Sequence, residues 1–108
     1  MMTNAIVSLD LRKMINCEKL HSFSAKIFET YRQDVQYHND LHGADVMQMT
    51  YYMLTRGKLQ ENLQLTKIET LTMLLAAACH DLGHDGFTNG YHVNAITPRA
   101  IDFNDVSV

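Results

Sequence analysis

Apolar residues recur along this chain at intervals of three and four, and no stretch alternates apolar with polar for long enough to predict a strand. The pattern is helical almost throughout, so the expected fold class is all-α. Asp10 is placed to cap a first helix with Leu11, Met14 and Ile15 on one side. Ser22 is placed to cap a second, in which Phe23, Ile27, Tyr31 and Val35 recur every fourth residue. A third helix is expected from Asn39 or Asp40 to about Arg56. Its apolar face is Ala44, Met47, Tyr51 and Leu54, and Gly57 follows as a stop.

A fourth helix has the strongest signal. Thr66 followed by Glu69 fits a capping box. Ile68, Leu71, Leu74, Leu75, Ala78 and Leu82 then form an apolar stripe, and residues 71–79 are apolar nearly all round. That pattern predicts a central helix covered on several sides. Gly83 and Gly86 punctuate its end. Residues 57–66 read as a polar connection, 88–95 as a short helix, and the chain from Ile96 onward as loop.

Composition narrows the class. With 108 residues the chain is one domain at most, and 46% apolar against 19% charged residues argues for a packed core over a disordered tail. A net charge of −3, with Arg12, Lys13, Lys19, Lys26 and Arg32 spread over helical surface, argues against a nucleic-acid partner. No apolar run approaches the roughly 20 residues that span a bilayer, and the first residues lack the form of a secretory leader. Two cysteines make no disulfide framework. Cys79 is expected as a buried thiol in a reducing compartment, which points to the cytoplasm.

Four of the six histidines fall in two short clusters. In the first, His38, His42, Asp45 and Met49 share one face of the third helix, opposite its apolar stripe. Two imidazoles one turn apart either address a common ligand or sit as surface histidines at a helix start. The second cluster, His80-Asp81-Leu82-Gly83-His84-Asp85-Gly86, ends the fourth helix. A carboxylate there is costly to bury unless it is paired or bound to a cation. It fits either a divalent metal site or a structural polar pair. Taken together, the clusters match a three-ligand site with open positions, the pattern of hydrolytic metals. Of the remaining candidates, His21 and His92 read as structural or exposed. Met47, Met49 and Met53 read as ordinary packing, Met47 as core, with a pocket floor as the alternative for Met49, while Tyr51 reads as core and Tyr52 as rim.

The Tyr37-His38-Asn39…His42…Asp45-Val46 block and the His80-Asp81…His84…Gly86…Asn89 block resemble the catalytic domain of class I 3′,5′-cyclic nucleotide phosphodiesterases, within the HD-type metal phosphohydrolases. The resemblance covers residues 22–108, and residues 1–21 carry no clear signal. It implies an all-helical catalytic domain that hydrolyses cAMP or cGMP to the nucleoside 5′-monophosphate with two divalent ions, zinc in one site and magnesium or manganese in the other. By the same resemblance His42, His80 and Asp81 are metal ligands, with Asp81 touching both ions. His38 is the general acid that protonates the leaving O3′. His84 lines the second metal's water shell, and Tyr37 and Asn89 lie at the pocket edge. Gly43 stands where alanine is usual and Tyr91 where phenylalanine is usual, both read as mild changes.

The family domain also needs a second aspartate ligand, a glutamine that grips the purine and an apolar clamp. These lie beyond the family segment that residues 103–108 resemble, and Asp102 and Asp105 do not match the missing ligand by context. The sequence is therefore expected to be the N-terminal portion of a catalytic domain, incomplete as a catalyst by itself. The alternative is a non-catalytic helical fragment that binds metal or pairs with another polypeptide through exposed helix faces. A different HD-type hydrolase is disfavoured by the Tyr-His-Asn block.

Overall fold

A computed structural model describes residues 1–106, and among them every regular element is helical. The helices are α1 (Met2–Ser8), α2 (Cys17–Thr30), α3 (Asp40–Thr55), α4 (Leu59–Asn62), α5 (Lys67–Cys79), α6 (Asn89–Asn94) and α7 (Pro98–Asp102), with a 3-10 turn at Arg12–Met14. Residues 107 and 108, the end of the segment that resembles the family, lie outside the described residues. Among the described residues no helix is long and apolar enough to cross a membrane.

The frame is the pair α3 and α5. The pair is antiparallel, joined through α4, so that the start of α3 lies beside the end of α5. Met47 and Leu54 of α3 meet Leu71, Leu74 and Ala78 of α5 in the core. Both helices begin where their caps dictate. The Asn39 side chain accepts the backbone N–H groups of Leu41 and His42, and the Thr66–Glu69 capping box is complete.

The N-terminal third differs from its sequence expectation. Asp10 does not cap an α-helix: it adopts φ 54°, and its carboxylate pairs with Lys67. The first helix instead precedes it and drives Ala5 and Ile6 into the core, with Leu9 and Leu11 following. The second helix starts at Cys17 because the Asn16 side chain accepts the Lys19 N–H. Ser22 is inside that helix, its hydroxyl donating back to the Glu18 carbonyl. Tyr31 and Val35 lie beyond the helix, yet both are buried.

Further along, the stripe of α5 is narrower than expected. Ile68 is 58% exposed and Leu82 lies in the turn beyond the helix, so α5 is covered mainly on its α3 side. The stretch from Ile96 is not all loop. Thr97 caps α7 by accepting the Ala100 N–H, and Pro98 takes the first helical turn, where its missing N–H costs nothing. The radius of gyration is 16.4 Å, against about 13 Å for a compact chain of this length. The surface area is 7538 Å², against about 6,100 Å² for a compact monomer of this mass. The excess matches the large apolar side chains left on the surface, among them Leu41, Ile96 and Val106.

Candidate metal centre

The antiparallel pairing brings the two histidine clusters together. His42 projects from the first turn of α3, held there by the Asn39 cap. The Asn39 amide also donates to the Val35 and Gln36 carbonyls, fixing the approach of the chain through Tyr37 and His38. His80 is the C-cap of α5 and Asp81 follows it. The last carbonyls of a helix have no partner within it. Here His80 Nδ1 lies 2.9 Å from the Ala77 carbonyl oxygen, and the Leu82 N–H donates to Cys79 at 3.1 Å. With Nδ1 donating to that carbonyl, His80 keeps its Nε2 lone pair free for a ligand.

His80 Nε2 and His42 Nε2 lie 3.0 and 3.4 Å from the same Asp81 oxygen, Oδ2. One donor atom from each of the three residues falls within 4.8 Å of the others. The Asp81 side chain is largely buried, at 16% exposure. A carboxylate shared by two imidazoles is a donor set of two nitrogens and an oxygen, which suits zinc and leaves coordination positions open. The site sits beside the C-terminal end of α5, where the helix dipole favours positive charge.

Tyr37, His38 and His84 lie beside this centre. His38 stacks on His84, ring centroids 3.9 Å apart and planes 15° apart. His84 Nδ1 accepts the Gly86 N–H at 2.9 Å. That turn closes with Gly86 at φ +90°, a conformation that L side chains rarely adopt. The exposed Tyr37 ring leans on His42 with centroids 4.5 Å apart. Asn89 is exposed at the first position of α6. Met49 is exposed, not packed in the core.

Two groups of residues around the centre carry more than their sequence reading assigned. Asp85 accepts the Phe87 N–H at 3.1 Å, and its Oδ2 lies 3.1 Å from His92 Nε2 and 3.4 Å from the Arg99 guanidinium. His92 is therefore structural and buried, with its other ring nitrogen 3.0 Å from the Thr97 hydroxyl. Burial raises the Asp85 pKa, but the Phe87 amide, His92 and Arg99 together outweigh it and hold the carboxyl below its ordinary range. The second group is Tyr31 with Gly43. The Tyr31 hydroxyl donates to the Ala78 carbonyl at 3.1 Å. Burial pushes its pKa up, opposed by the Asp81 backbone N–H beside it. Gly43 is no mild change here, because a β-carbon on it would lie 2.6 Å from the Tyr31 hydroxyl.

A family model described as 3′5′-cyclic nucleotide phosphodiesterase matches residues 37–108. The chain is 38% identical over 94 residues to the 3′,5′-cyclic-nucleotide phosphodiesterase regA of Dictyostelium discoideum, covering 87% of this chain and 12% of that protein. It is 38% identical over 89 residues to the high affinity cAMP-specific and IBMX-insensitive 3′,5′-cyclic phosphodiesterase 8A of Mus musculus, covering 82% and 11%. The high affinity cGMP-specific 3′,5′-cyclic phosphodiesterase 9A of Homo sapiens is 39% identical over 93 residues, covering 86% and 15%. The chain thus spans between a tenth and a sixth of the length of these relatives.

Proposed function

Because the chain belongs to the 3′,5′-cyclic nucleotide phosphodiesterase family, we propose that its α3–α5 seam is the metal-binding half of a phosphodiesterase centre acting on cAMP or cGMP. The observation that carries this reading is the convergence of His42, His80 and Asp81 donors within 4.8 Å. Relatives named for cAMP and for cGMP match at 38% and 39% identity, so the similarity follows the cyclic phosphate rather than the purine.

In this reading His42, His80 and Asp81 would hold zinc, and Asp81 would also serve a magnesium or manganese ion. When bound, such ions neutralise phosphate charge and lower the pKa of the attacking water. The residues of the chain do the rest. His38 donates a proton to the O3′ that leaves phosphorus, giving a neutral 3′-hydroxyl and a 5′-monophosphate. His84, stacked on His38, holds that ring in place. Tyr37 covers the outer side of His42, and Asn89 borders the pocket. The cytoplasm is the matching location, since both cysteines are free thiols.

The test is zinc titration by calorimetry. The purified chain should bind zinc, more weakly than a complete site would, and His80→Ala with Asp81→Ala should abolish that binding; equal binding by both proteins removes the reading. In a longer protein that contains this chain, His38→Ala should lower turnover about 10²–10⁴-fold with metal content unchanged. Loss of metal instead would make His38 a ligand and not the acid.

A further inference from the structure

The side chain of Tyr31 meets both ligand-bearing helices. It follows α2 in extended backbone and is 3% exposed. Its hydroxyl donates to the carbonyl of Ala78, two residues before His80. Of the three consecutive carbonyls that end α5, Ala77 is engaged by His80 itself and Cys79 by the turn that follows. The middle one is satisfied from outside, by Tyr31.

The other side of the ring lies against Gly43, the residue after His42. An ideal β-carbon there would stand 2.6 Å from the Tyr31 hydroxyl oxygen and 2.9 Å from Cζ. The phenol occupies the volume that any other residue would fill. One hydroxyl thus spans the seam at its metal-binding end, next in sequence to His42 on one side and close before His80 and Asp81 on the other.

We propose that Tyr31 is a positioning residue of the centre: its hydroxyl, admitted by the missing side chain of Gly43, sets the end of α5 against the start of α3 so that the three donors converge. The inference rests on the metal-site reading above. Residues that orient ligands without touching the ion typically alter metal affinity 10–100-fold.

The experiment measures zinc affinity and the visible spectrum of the cobalt(II) complex in the full chain. Tyr31→Phe should weaken zinc at least about tenfold and alter the cobalt bands, with helical circular dichroism unchanged. Gly43→Ala should weaken zinc similarly by displacing the ring. In the double variant the losses should not add, because the hydroxyl is already out of place. Wild-type affinity and spectrum in Tyr31→Phe would overturn the proposal while leaving the metal site standing. Additive losses would overturn it too. Loss of helix in Tyr31→Phe would also overturn it, by showing that the hydroxyl serves folding rather than ligand alignment. Should His80→Ala with Asp81→Ala bind zinc as the wild type does, the metal site and this inference fall together.

Discussion

The two ends of the α3–α5 pair are held by different physics. At the far end Leu54 is buried between the helices, Leu71 and Thr70 are buried on α5, and the Thr66–Glu69 box closes the turn. These contacts are apolar or local, and they tolerate small shifts because dispersion and burial have little direction. At the site end the joints are Asn39 to His42, His80 to Ala77 and Tyr31 to Ala78. Each is a hydrogen bond with a narrow range of distance and angle. Stability therefore resides at one end and alignment at the other. The centre is then free to be polar, because the pair is already held together at a distance from it.

That contrast is breakable. The largest effect should come from the apolar end. Leu54→Ala should cost about 2–5 kcal/mol of unfolding free energy, measured by denaturant titration, while the fraction still folded binds zinc normally. A cost below about 1 kcal/mol, or a specific loss of metal, would contradict the division. The site end is next, where Asp85 anchors the turn that carries His84. Asp85→Asn should cost about 1.5–3 kcal/mol, the range for hydrogen bonds to a charged group. Its carboxyl is held below the ordinary range in the folded chain. The stabilisation is therefore complete above that range and is lost as pH falls through the depressed value. Melting midpoints against pH should show an acid-side decline in the wild type that is shallower in Asp85→Asn. Equal slopes would remove Asp85 as the anchor. The smallest effect is Thr66→Ala, at about 1 kcal/mol for a lost cap. Its thermal midpoint should fall with zinc affinity intact; a change in affinity would couple the two ends more tightly than described.

The same division explains what was legible in the sequence. The start of α3 at Asn39, the capping box of α5 and the short helix after Thr88 are local signals, and the structure carries all three. The histidine clusters were readable as a pair because antiparallel helices joined by a short link must bring opposite ends together. The start of α2 differs from expectation because Asn16 and Ser22 compete for one cap, and Asn16 wins. The α7 start is a cap followed by a first-turn proline, Thr97-Pro98, a signal that apolar periodicity does not register. The exposure of Ile68 was not readable, since periodicity shows a face but not how wide its cover is. Tyr31 and Asp85 were out of reach for another reason: their roles exist only once segments separated by 47 and 7 residues meet.

X-ray absorption at the zinc edge addresses the shared coordination by His42, His80 and Asp81 most directly. The complex of the intact chain should show only nitrogen and oxygen neighbours, at about 2.0–2.2 Å, with the outer-shell pattern of two imidazoles, and His80→Ala should remove one of them. A sulfur neighbour at about 2.3 Å, or a spectrum unchanged by His80→Ala, would contradict the account.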